Sequence, residues 1–188
     1  MELIKRFREN ADLAELLCDT CDVEIFPELR KTQDENGHII YNISGKTFAR
    51  EKSGSEYILL EDGSIGYWRS EGLCGRIADS LQDFFEFIIN CPYWKDCIWE
   101  EAYQDREYLS EFAKEIFEEY EEEKLEDEFD LQEAQQELAE YSGIEERTEV
   151  VDLLMRFYHC TTREPRFFYT YTEDDGSKHS GTGSLFDS

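Results

Sequence analysis

The chain has 188 residues, with 46 Asp and Glu against 19 Lys and Arg, a formal net charge of −27. A polyanion of this kind is excluded from binding nucleic acid or an anionic membrane by charge, and it draws basic proteins and cations instead. Its 40% hydrophobic and 14% aromatic content separates it from disordered acidic chains and suffices for a packed core.

No apolar run reaches the roughly 20 residues that a membrane-spanning helix needs. The N-terminal MELIKRFREN has basic residues but neither a continuous apolar stretch nor a small-residue cleavage site, so the expected location is cytoplasmic. The six cysteines then read as reduced thiols.

In chain order, residues from about Glu2 to Leu17 are expected to be helical, with Leu3, Phe7, Leu13, Leu16 and Leu17 apolar. A loop through Val23-Glu-Ile-Phe26-Pro27 follows. Thr47–Arg50 and Tyr57–Leu60 are short and β-prone, with Gly54 and two serines as the turn between them. Asp62-Gly63 divides Tyr57–Leu60 from Ile65–Trp68. Asp-Gly between two apolar runs predicts a hairpin, because both residues tolerate positive φ. Glu71-Gly72 makes the next turn, before a strand at Cys74–Ala78. Ser80 is placed as a helix N-cap with Asp83 in the first turn. Leu81, Phe84, Phe85, Ile88 and Ile89 follow at helical spacing until Pro92. The expected fold class is α+β: an antiparallel meander flanked by several helices.

Between Glu100 and Glu149 there are 21 acidic and four basic residues, a net of −17. Leu109, Phe112, Ala113, Ile116, Phe117 and Tyr120 nevertheless recur at three- and four-residue intervals, the buried stripe of an amphipathic helix. A second helix is expected over Leu131 to Tyr141, ended by Gly143, and a third from about Glu145 to Tyr158. Arg166 to Thr172 then reads as a strand, Glu173–Ser177 as a turn and Lys178–Phe186 as the return. Phe167, Tyr169 and Tyr171 fall on one side of that strand, with Phe168, Thr170 and Thr172 on the other. The whole is read as one domain over 1–188, with an acidic helical region at about 100–159 and a C-terminal hairpin at about 166–186. Whether the hairpin joins the meander is left open.

The stretch from Gly45 to Trp94 carries an aromatic-containing strand, a glycine turn, the hairpin YILLEDGSIGY, and then SEG and GRIADSL leading into a helix. In that order it resembles the core of the SUKH superfamily, across about fifty of the 188 residues. The shared residues are turns and core positions, so they bear on fold more than on activity. The resemblance implies a small α+β protein of the kind that bacteria use chiefly as immunity proteins against protein toxins. The family also includes eukaryotic regulatory members.

The expected function is therefore to bind and neutralise a cognate basic toxin, such as a nuclease, as a monomer or weak homodimer without enzymatic activity. Alternatives are a regulatory or scaffold module for an endogenous partner, or a DNA mimic whose carboxylates from Glu118 to Asp130 copy a phosphate track. Candidate partner-binding residues are Glu118, Glu119, Glu121, Glu122, Glu123, Glu126, Asp127 and Glu128, with Tyr67 and Trp68. Tyr93, Trp94, Trp99 and Tyr103 are further aromatics that could serve either an interface or the core. An edge strand of the meander offers a different route, β-augmentation.

Motifs for chemistry fall short. Gly45-Lys46-Thr47 resembles the end of a phosphate-binding loop, but Ile40 stands where that loop needs glycine. Cys18 and Cys21 have the inner spacing of a zinc or redox pair without a second such pair. Structural zinc would need the fold to gather them with Cys91, Cys97, His159 or Cys160. His38, His159 and His179 are scattered, and neither a GxSxG elbow nor a DxDxDG loop occurs. No catalytic, cofactor-binding or metal-ligating residue is expected.

Overall fold

The computed structural model describes residues 1–32, 38–144, 149–181 and 184–186, and the fold is α+β. Its centre is an antiparallel five-stranded sheet in the order β1-β3-β4-β5-β6. These strands are β1 (Glu24–Lys31), β3 (Gly45–Arg50), β4 (Glu56–Leu60), β5 (Ile65–Trp68) and β6 (Cys74–Ala78). The turns are those expected: Gly54, Gly63 and Gly72 have φ of 94°, 87° and 101°, values open to glycine at no steric cost. From β6 the chain enters α3 (Leu81–Asn90), with the Ser80 hydroxyl accepting from the Asp83 N–H at 3.1 Å.

Two N-terminal expectations are corrected. The single helix is broken into α1 (Glu2–Glu9) and α2 (Ala11–Cys21), because Asn10 is extended and its side chain caps α2 at the Leu13 N–H. The break lets Phe7 stack on Phe85 of α3 at 5.2 Å. The expected loop through Pro27 is strand β1. Proline is tolerated there because β1 is an edge strand whose register shifts between Ile25 and Arg30.

Side chains alternate across the sheet. Tyr57, Ile65, Tyr67 and Ile77 meet the helices, while Ile58, Leu60, Cys74 and Trp68 meet the opposite layer. The helical layer is α1 to α3 with α4 (Arg106–Glu126), α5 (Leu131–Ser142) and α6 (Val150–Thr162). Trp94 lies at its centre, fully buried against Tyr67, Phe87 and Phe157 at ring separations of 5.2, 5.7 and 5.4 Å. Gly143 ends α5 in the left-handed conformation, φ 68°. Residues 145–148 of the third expected acidic-region helix lie outside the described residues.

The opposite layer is a three-stranded sheet, β2-β7-β8, of β2 (Ile39–Tyr41), β7 (Tyr169–Thr172) and β8 (Lys178–Ser180). The C-terminal hairpin thus pairs with β2 and covers the meander without joining its hydrogen-bonded ladder. Phe167 is the wedge between the layers. It is fully buried, stacks on Tyr41 at 5.2 Å, and lies so close to Gly66 that an added Cβ would stand 2.7 Å from its ring. The described return strand is Lys178–Ser180; residues 182–183 of the expected return lie outside the described residues, and 184–186 are not strand. Leu185 and Phe186 are instead buried in the helical core, with Phe186 against Tyr103, Phe157 and Tyr158.

Candidate protein-interaction surface

Asp105 starts α4, its carboxylate accepting from the N–H groups of Glu107 and Tyr108 at 2.9 and 3.1 Å. Leu109 and Ala113 are the fully buried residues of this 21-residue helix, with Phe112, Ile116, Phe117 and Tyr120 packed partly against the core. Two contacts pin its C-terminal half to α2: Tyr120 Oη donates to the Thr20 carbonyl at 3.1 Å, and Lys124 Nζ to the Asp19 carbonyl at 2.7 Å. The helix is therefore fixed along one stripe and open along the rest.

That attachment decides where each candidate carboxylate goes. Tyr108, Phe112, Glu115, Glu119, Glu122 and Glu126 follow at alternating intervals of four and three, which places them on one face of a helix with 3.6 residues per turn. Glu115, Glu119, Glu122 and Glu126 are all exposed. Glu123 is exposed beside this ridge. Glu118 flanks the ridge on its other side, paired with Lys114 at 3.6 Å, while the half-buried Glu121 turns away from it and accepts from Gln132 of α5 at 2.6 Å. Asp127 caps the helix and Glu128, at φ 60°, lies in the turn to α5. The eight carboxylates thus encircle the helix end, and only some share a face.

The aromatic candidates separate more sharply. Tyr67 is 1% exposed, with its ring against Trp94, so it is part of the core. Trp68 is partly buried on the other face of the sheet, in a cleft of about 320 Å³ shared with Tyr169, Tyr171 and His179. Neither joins the acidic helix. Tyr93, Trp94 and Tyr103 are buried as well. Trp99 is different: it is 41% exposed and packs edge-on against Tyr108 and Phe112, at 5.7 and 5.5 Å. Tyr108 is 44% exposed. Phe112 belongs to the stripe that the spacing predicts, while Tyr108 falls outside it. Their four-residue spacing on an otherwise charged face was the signal available.

Other candidate features resolve into structure. Gly45-Lys46-Thr47 begins strand β3, paired to β4, so it forms no phosphate loop. Burial pushes the thiols of Cys74 and Cys160 up to about 12, which keeps them protonated. Among the described residues no group of three or more His, Cys, Asp and Glu is placed to hold a metal ion. The meander's edges are guarded. β6 is buried along its whole length, with Arg76 donating to the Pro165 carbonyl, and β1 carries Pro27. No helix among the described residues is long and apolar enough to cross a membrane.

No family model matches the sequence, and no curated protein or solved structure matches it either.

Proposed function

We propose that this protein binds and neutralises a basic protein toxin, as an immunity protein of the producing cell, and performs no chemistry of its own. The observation that carries this reading is the α4 surface: a long helix held by a narrow apolar stripe, with a line of exposed glutamates on a free face. The resemblance of the Gly45 to Trp94 stretch to the SUKH superfamily points the same way as an expectation from sequence. A nuclease is the favoured partner class, because a protein that grips phosphates presents the lysines and arginines such a surface attracts.

Complementary charge acts mainly on encounter, raising association from about 10⁵–10⁶ towards about 10⁸–10⁹ M⁻¹s⁻¹ at low salt. Retention of the complex then depends on desolvated contacts.

The test is co-expression with the C-terminal domain of a large toxin-like protein encoded beside this gene, scoring growth and measuring binding by calorimetry. Nanomolar binding with restored growth is the expected result. Binding to a host protein without protection from any neighbouring toxin would favour the regulatory or scaffold module. Displacement of the partner by DNA, followed across salt concentration, would favour the DNA mimic.

A further inference from the structure

Trp99, Tyr108 and Phe112 form an aromatic cluster at the surface, with Trp99 and Tyr108 exposed and Phe112 packed partly against the core beneath them. Trp99 precedes the 3-10 turn Glu100–Gln104, and Tyr108 and Phe112 lie on consecutive turns of α4. The two α4 rings are nearly parallel, 10° apart, while the indole stands across them at 73° and 72°. The indole N–H donates to the Glu101 carboxylate, which fixes the ring's orientation. Exposed Glu101, bonded to Trp99, and exposed Glu111 and Glu115, one turn on from Tyr108 and Phe112, lie beside the rings. Exposed Glu100, Asp105 and Glu107 are their near neighbours in sequence. The nearby cations are already engaged, Arg106 with Asp152 at 2.6 Å and Lys114 with Glu118 at 3.6 Å.

From this geometry we infer that the Trp99–Tyr108–Phe112 cluster is the contact centre for a basic protein segment, receiving an Arg or Lys side chain of the partner. An aromatic face attracts a guanidinium or ammonium group, the apolar stem of that side chain covers the rings, and the surrounding carboxylates complement its charge. The Glu119, Glu122 and Glu126 ridge continues from the cluster along the same helix face, extending the track for further basic residues. The inference deepens the toxin-binding reading and rests on it for the identity of the partner. The surface itself can be tested without any toxin.

The probe is an arginine-rich peptide, with its citrulline counterpart as the uncharged control, titrated into the full chain by calorimetry. Trp99→Ala and Tyr108→Ala leave net charge unchanged, so a purely diffuse attraction to a polyanion would not register them. Each is expected to weaken the arginine peptide roughly three- to fivefold, the scale of an exposed cation–π contact. Phe168→Ala, which removes another exposed aromatic, is expected to leave binding unchanged. Circular dichroism checks the fold of each variant, and Tyr108→Ala carries the comparison if Trp99→Ala lowers Tm. Equal binding by wild type and both cluster variants would overturn the proposal, as would equal affinity for the two peptides. Self-association of wild type in sedimentation, abolished by Trp99→Ala, would overturn it in favour of a homodimer contact. Peptide binding that obeys these expectations, with no rescue of growth from any neighbouring toxin, would retire the immunity reading and leave the surface standing.

Discussion

Tyr57 and Tyr67 stand opposite one another on β4 and β5, and their hydroxyls donate to the two oxygens of one buried carboxylate, Glu51, at 2.8 and 3.0 Å. Lys95 Nζ reaches the same carboxylate at 3.1 Å and Asp22 at 3.6 Å. Burial alone would push the Glu51 carboxyl up. The Lys95 charge and the hydrogen bonds from Tyr57, Lys95 and Tyr67 outweigh it and hold the group below its ordinary 4.5. Burial, reinforced by the Glu51 charge, pushes both phenols up, so they remain donors.

Glu51→Ala strands these buried donors and is expected to cost roughly 3–5 kcal/mol in urea unfolding. The folded carboxyl titrates below the unfolded one, so its contribution is present above about pH 4.5 and is lost as pH falls through the folded value. The stability gap between wild type and Glu51→Gln should therefore narrow from about pH 6 to about pH 3. A constant gap would show that the carboxyl's charge contributes nothing.

Gly66→Ala sets a methyl group against the Phe167 ring that docks the smaller sheet. Overpacking of this kind costs about 1–3 kcal/mol. Thermal melts of Gly66→Ala, Phe167→Leu and the double variant should give less than additive losses, because the smaller side chain makes room for the methyl. Strict additivity would separate the two residues energetically.

The signals that were legible are local. Asp62-Gly63, Ser80 and Gly143 each fix a turn or a cap within a few residues, and each lies where its chemistry requires. The missed elements depend on distant partners. Ile39–Tyr41 is too short to announce a strand, and its pairing partner Tyr169–Thr172 lies far along the chain. Pro27 argued against β1 until the sheet order made that strand an edge. At the surface, the glutamate run was visible in sequence, but the helix rotation that selects Glu119, Glu122 and Glu126 over Glu121 is set by contacts to α2 and α5. Leu185 and Phe186 carry no periodicity; the aromatic pocket around Tyr103 and Phe157 gives Phe186 its place, and Leu185 lies close to Gly75 of β6.

Asp105→Ala removes the acceptor for two N–H groups at the start of α4. The expected cost is about 1 kcal/mol in chemical denaturation. The first turn carries Tyr108, so fraying there should also weaken the arginine peptide. An unchanged midpoint would mean that water serves the freed amides equally well.

Self-repulsion from the net charge of −27 opposes the compact state, and salt relieves it. Tm should rise steadily between about 10 mM and about 0.5 M NaCl. Glu119→Gln/Glu122→Gln should raise the low-salt Tm and flatten this dependence. A Tm that falls with salt would show that the ion pairs outweigh the repulsion.

Helix α4 gives the core only Leu109 and Ala113 in full, and its remaining positions face outward or lie along the margin. Inheritance of the fold and inheritance of the outward face are therefore separable. A descendant can exchange Glu115, Glu119, Glu122 or Glu126 for residues of other size and charge while the sheet, the Trp94 centre and the Glu51 hub stay as they are. Such a helix can change its outward charge and shape from generation to generation without unfolding its bearer.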